Sequence, residues 1–164
     1  MIQIEPATEA DYQDILRLNE AAVPAVSSID EPALAELHRQ AQFLIVARSE
    51  GKLAGFLLVL NEDADYASLN YQYFKNHYDR FLYVDRIVVS EACRGQGIGA
   101  SLYAALFEAA PDAPRVTCEV NVHPPNPGSL KFHDGLGFNV VGEQDTDGGA
   151  KRVALMSCER QAGG

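Results

Sequence analysis

The densest chemical signal in the chain is Arg94-Gly95-Gln96-Gly97-Ile98-Gly99, which directly follows the β-branched run Ile87-Val88-Val89. Glycines at 95, 97 and 99 leave backbone N–H groups unscreened by side chains. The apolar helical run that follows adds the unpaired N–H groups and positive dipole end of a helix start. Such a strand–loop–helix unit suits a diphosphate, and Arg94 can add a charge-assisted contact to it. A plain strand-to-helix turn would use the same residues. A dinucleotide site would also begin Gly95-Gln96-Gly97, and Glu119 lies about 20 residues further on. Its third small position, however, falls on Ala100, and too few parallel strands surround the loop. A nucleoside-triphosphate loop is excluded, because no Gly-Lys-Ser/Thr follows the glycines.

Two spaced motifs narrow the choice. Arg94-x-x-Gly97-x-Gly99, between an apolar strand and an apolar helix, resembles the acetyl-CoA signature of the GNAT acyltransferase superfamily. Asn126-x-x-Ser129-x-x-x-His133-x-x-x-Gly137-Phe138 is similar to that superfamily's later motif, usually written with Ala at the second site and Tyr at the third. The resemblance implies a single GNAT-like domain over residues 1–164 that binds acetyl-CoA as co-substrate. It implies that Val88, Val89 and Ser90 pair with the pantetheine like an added strand. It further implies that the amides of Arg94, Gly95, Gln96, Gly97, Ile98 and Gly99 hold the pyrophosphate, with Asn126, Ser129 and His133 beside the cofactor. The activity implied is N-acetylation of a primary amine on a small molecule or peptide, with acyl-CoA binding without catalysis as the alternative. Family members often dimerise through their C-terminal strands, so a homodimer is compatible.

Acyl transfer to an amine needs a base for the ammonium proton, stabilisation of the developing oxyanion, and a proton for the departing thiolate. Glu119, on the strand Cys118-Glu119-Val120-Asn121-Val122, is the first choice for the base, and Asp85 is its competitor. A salt bridge is the plain alternative for either acid. His133 stands where the family carries Tyr; imidazolium is a competent acid near neutral pH, but a packing or hydrogen-bonding role is equally open. Asn126 either contacts the cofactor or caps the following helix. Tyr71, Tyr73, Phe74 and Tyr83 are the substrate-side candidates, with packing as their alternative role.

These residues need a frame. Residues 2–5 alternate as a short strand, and Thr8 and Asp30 read as helix starts. Residues 43–48 and 53–60 form a hairpin about Ser49-Glu50-Gly51-Lys52. Residues 61–80, polar with interleaved aromatics, read as a long loop holding one helical turn. Strand 81–89, helix 98–110 and strand 116–122 form one βαβ unit. A helix over 127–136 stops at Gly137, and strands 138–144 and 152–158 close the chain as a hairpin. The fold class is mixed α/β: a largely antiparallel sheet with one central parallel βαβ unit.

Bulk composition sets the remaining bounds. The 164 residues suit one domain, and a net charge of −10 argues against a nucleic-acid surface, which needs clustered Lys and Arg. Three cysteines and four histidines without ligand spacing predict neither a disulfide framework nor a metal. No apolar run is long enough to span a bilayer. The first residues lack the basic and apolar regions of a signal peptide, so the expected setting is cytoplasmic, away from membranes.

Overall fold

The computed structural model describes residues 1–160. The described chain forms β1 (Ile2–Pro6), α1 (Tyr12–Ala22), α2 (Glu31–Gln40), β2 (Phe43–Ser49), β3 (Lys52–Asn61), α3 (Leu69–His77) and β4 (Leu82–Val89). It continues with α4 (Ile98–Ala109), β5 (Arg115–His123), α5 (Pro127–Gly135), β6 (Asn139–Thr146) and β7 (Lys151–Glu159). The strands make one sheet in the order β1-β2-β3-β4-β5-β7-β6. Pairs β1/β2, β2/β3, β5/β7 and β6/β7 are antiparallel, and β4/β5 is parallel. This is the expected mixed α/β class, largely antiparallel with one parallel pair. Among the described residues no helix is long and apolar enough to cross a membrane.

The chain divides into two compact units, with β4 contributing to both. The first comprises Met1–Leu60 and Asp85–Pro111. Its β3 carries the run Phe56-Leu57-Leu58-Val59-Leu60, buried on both faces as a central strand requires. Helices α1 and α2 pack together, while α4 sits on β1 and β2. Ile98, Leu102 and Leu106, spaced to one helical face, are buried, as is Tyr103 next to Leu102. The expected caps form: Asp30 Oδ1 accepts from Ala33 N at 3.0 Å, and Thr8 N donates to Asp11 Oδ2 at 2.9 Å. The β2–β3 turn runs through Glu50 at φ 52° and Gly51 at φ 79°, the left-handed pair a tight hairpin demands.

The second unit comprises Asn61–Val84 and residue 112 onward. Its centre is aromatic. The Tyr71 ring lies 5.7 Å from Phe81 and 5.5 Å from Tyr83, and Phe74 lies 5.9 Å from Tyr83. Here the structure departs from the sequence reading of a long loop, because nine residues fold as α3. Asn, Tyr and Phe are weak helix formers, so propensity alone undervalues the segment. Burial of Tyr71 and Phe74, three apart on one face, supplies the missing stability, and Ser68 Oγ caps the start by accepting from Tyr71 N at 3.4 Å. On the opposite side of this helix Tyr73 Oη donates to Val141 O at 3.3 Å, beside a register shift in β6 between Val140 and Gly142. Gly142 permits this approach, since a Cβ there would lie 2.6 Å from the Tyr73 hydroxyl oxygen.

Candidate active-site elements

In the first unit β4 runs through a short turn of 3-10 helix (Glu91–Cys93) into α4. The loop between them owes its shape to two left-handed glycines, Gly95 at φ 83° and Gly97 at φ 75°. Arg94, Gly95, Gln96 and Gly97 are exposed, and an added Cβ at 95 or 97 would meet nothing within 4 Å. Cys93 N and Arg94 N are used locally, donating to Ser90 O and Glu91 O at 3.0 and 3.3 Å. Among the described residues nothing accepts from the N–H groups of Gly95, Gln96 or Gly97. Ser101 N donates to Gly97 O at 2.9 Å, so the amides of Ile98, Gly99 and Ala100 belong to the unpaired first turn. Unpaired amides at a helix start can receive an anion, and Arg94, paired with no acid among the described residues, stands beside them in sequence. Ile98 contributes only its backbone, because its side chain is buried.

The strand before this loop is more selective than its sequence indicates. Ser90 N donates to Ala54 O at 2.8 Å, so the Ser90 amide is engaged with β3. Val88 O lies so near β3 that a Cβ at Gly55 would come within 2.8 Å of it. By strand alternation the N–H and C=O of Val89 point away from β3. Of Val88, Val89 and Ser90, only Val89 therefore presents both backbone groups in the direction an added strand would need.

Asp85 lies further back on β4 in the same unit. Adjacent strand residues ordinarily point apart, yet Asp85 Oδ2 accepts from Arg86 Nε at 2.7 Å, with both side chains under 5% exposed. The guanidinium also donates to Asn19 Oδ1 at 3.0 Å, Ser27 O at 2.9 Å and Ser27 Oγ at 3.1 Å. The network ties the segment after α1 to β4 and gives Asp85 the salt-bridge role weighed against catalysis.

In the second unit β4 and β5 pair at Leu82 with Val116 and Tyr83 with Thr117. Glu119 lies two residues beyond Thr117, on the same face, so the Tyr83 ring reaches it. Tyr83 Oη donates to Glu119 Oε1 at 2.7 Å and lies 2.9 Å from Oε2. Asn70 Nδ2 on α3 donates to Glu119 Oε1 at 3.1 Å, and Gln144 Nε2 on β6 donates to Asn70 Oδ1 at 2.7 Å. Glu119 is half-buried. Tyr83, expected on the substrate side, is fully buried and serves the carboxylate instead. Tyr71 and Phe74 are likewise fully buried, so their rings pack in the aromatic core. Tyr73 is half-buried, stacked on His77 at 4.1 Å and bonded to β6.

The Asn126 motif caps and packs α5. Asn126 Oδ1 accepts from Ser129 N at 3.3 Å, the capping role expected of that amide. His133 Nδ1 donates to Ser129 O at 2.8 Å, with Ser129 Oγ 3.3 Å from the same nitrogen. The imidazole is 2% exposed and meets Phe132 and Phe138 edge-on at 5.1 and 5.2 Å. Burial pushes His133 below the ordinary histidine range, and the Ser129 carbonyl only partly offsets this. At neutral pH the ring is neutral, with its Nδ1 proton committed to a carbonyl. Of the two roles weighed for it, the geometry supplies packing and hydrogen bonding.

Comparison with known proteins decides the family. The model of the Acetyltransferase (GNAT) family matches residues 10–138, a span that includes the glycine loop, Glu119 and the Asn126 motif. The chain belongs to the GNAT acetyltransferase family. Its chemistry is accordingly acyl transfer of the N-acetyltransferase type. No curated protein sequence matches this acetyltransferase. Solved GNAT structures share its fold at low identity. Ard1 from Thermoplasma volcanium is 15% identical with a TM-score of 0.80, covering 98% of each chain. Arabidopsis thaliana Naa50, solved with the bisubstrate analogue CoA-Ac-MVNAL, is 14% identical with a TM-score of 0.74, over 95% of this chain and 97% of its own. YncA from Salmonella typhimurium, solved with its cofactor acetyl-CoA, is 18% identical with a TM-score of 0.74, over 98% and 95%.

Nothing in the sequence points to the Asn70–Gln144 pair beside Glu119. The two residues are 74 apart in sequence, and only the β6/β7 register and the docking of α3 bring them together. Ser68 as a cap was the one legible signal for that helix. Among the described residues no group of three or more His, Cys, Asp or Glu side chains could hold a metal ion.

Proposed function

We propose that this enzyme transfers the acetyl group of acetyl-CoA to a primary amine, with direct attack of the amine nitrogen on the thioester carbonyl. The observation that carries the reading is the exposed loop Arg94 to Gly97 before α4, turned by two left-handed glycines and with no acceptor for the Gly95, Gln96 and Gly97 N–H groups among the described residues, in a chain of GNAT membership. These amides, those of Ile98 and Gly99, and the Arg94 guanidinium fit a pyrophosphate in number and charge. Val89 offers one N–H and one C=O to the pantetheine amides. Acetyl-CoA supplies the activated acyl group.

Glu119 is the base. A carboxylate held by Tyr83 and Asn70 is fixed in direction and acceptor-only, so it can take the proton that an ammonium acceptor must lose. As the C–N bond forms and the C–S bond breaks, the nitrogen sheds a proton and the sulfur leaves as thiolate. A thiol of pKa about 8.5 is a tolerable leaving group near neutral pH and can be protonated by water. The buried, neutral His133 is then not needed as an acid. Asp85 holds Arg86 and positions the segment after α1, while Tyr73, Asn126 and Ser129 support α3 and α5. The acceptor class most consistent with the relatives is a peptide or protein amine, since Naa50 is held with a peptide-bearing analogue. The test is an acetyl-transfer assay in which purified protein and acetyl-CoA are offered small amines, amino acids and peptides. Acetylated amine is the expected product, and its absence across the panel would leave only a CoA-binding role.

A further inference from the structure

We propose that Asn70, locked by Gln144, is a positioning residue for the catalytic carboxylate of Glu119; the proposal rests on Glu119 being the base. The hydrogen-bond polarity carries the argument. An ionised carboxylate only accepts, so Asn70 must turn its Nδ2 toward Glu119 Oε1, at 3.1 Å. Its Oδ1 then faces Gln144 Nε2 at 2.7 Å and accepts from it. Flipping the Asn70 amide would set its oxygen against the carboxylate and its nitrogen against the Gln144 donor. The carboxylate therefore selects the amide orientation of Asn70, and Gln144, turned to donate to Asn70 Oδ1, holds it there. Tyr83 loads the same oxygen at 2.7 Å, so Oε1 takes two donors supplied by different elements, β4 and α3.

The helix over residues 69–77 is what brings Asn70 to this point. Tyr71 and Phe74 bury one side of α3 in the aromatic core, Tyr73 fixes it to β6, and Asn70 at its second position is left aimed at β5. Donors to the charged form of a carboxylate favour that form. Asn70 thus keeps Glu119 ionised and ready to accept a proton at lower pH than an unsupported carboxylate would, at some cost in basicity.

The test is the pH dependence of kcat/KM in the full chain. Asn70→Leu should move the acid limb upward by about one pH unit, with little change in the KM for acetyl-CoA. Asn70→Asp should move it further, because it places a like charge beside Glu119. Gln144→Leu should move it in the same direction by less, and Asn70→Leu/Gln144→Leu should match Asn70→Leu alone, because Gln144 acts through Asn70. A limb that stays in place in Asn70→Leu and Asn70→Asp while kcat falls would overturn the positioning role, as would additive shifts in the double variant. If Asn70→Leu fails to fold, Asn70→Asp and Gln144→Leu give the same readout. Glu119→Gln separates the two layers of the argument. A wild-type acid limb in Glu119→Gln would remove the base and the proposal with it. Its loss there, with an unmoved limb in the Asn70 variants, would remove only the positioning role.

Discussion

Gly97→Ala, set against Gly51→Ala, isolates what the glycine loop does for the ligand. Both glycines are left-handed, at φ 75° and 79°, and a Cβ at either would meet no atom within 4 Å. The two substitutions therefore carry the same backbone strain and no clash. A left-handed alanine costs about 1–2 kcal/mol. In a chain of this size each 1 kcal/mol lowers Tm by roughly 2–4 °C, so both variants should melt a few degrees below wild type and close to each other. They should diverge in binding. Gly51 sits in the β2–β3 turn, whereas the methyl of Gly97→Ala would stand in open space beside the loop amides proposed to bind the pyrophosphate. Loss of one hydrogen bond to a charged group is worth about 1.5–3 kcal/mol, or about 10- to 150-fold in Kd. Calorimetric titration with acetyl-CoA reads that ratio, and thermal melts confirm the matched strain. If Gly97→Ala bound acetyl-CoA within twofold of Gly51→Ala at equal loss of Tm, the pyrophosphate assignment of the loop would be refuted.

Two further outcomes follow from the buried ionisable groups. His133 has a folded-state pKa below its ordinary 6.5, so the unfolded chain binds a proton more readily. Its contribution to stability is present above pH 6.5 and is lost as pH falls toward the folded value. Urea denaturation at stepped pH should show this loss in wild type and a flatter profile in His133→Phe; identical profiles would contradict the buried neutral assignment. Asp85→Asn leaves Arg86 buried without its anion, which should cost about 3 kcal/mol and lower Tm by about 10 °C. The acid limb of its pH–rate profile should not move, and a moved limb would return Asp85 to candidacy as the base.

Legibility in the sequence followed the range of the forces involved. Local signals are legible. The Asp30 cap, the Glu50-Gly51 turn, the glycine loop and the Gly137 stop each depend on a few adjacent residues. Pairing that spans the chain is less legible. Leu69–His77 looks like a loop because weak helix formers hide a stripe whose partners are Phe81, just before β4, and Tyr83 on β4. The same segment supplies Asn70, so missing the helix meant missing the support of Glu119. Tyr71, Phe74 and Tyr83 looked like pocket residues because nothing in a single sequence separates a buried ring from a lining one. The bond between Asp85 and Arg86 escaped the strand-alternation rule, since a long guanidinium can bend back along its own strand. At Val89, conversely, the structure narrowed three candidate backbone positions to one.

Catalysis as well as binding is decided by stoichiometry. The wild-type chain should be incubated with acetyl-CoA and a panel of peptides and small amines, with liberated CoA thiol and acetylated amine both quantified. One acetylated amine for each CoA thiol released, absent without the protein, is expected of an N-acetyltransferase. Saturable acetyl-CoA binding with no amine acetylated would contradict it.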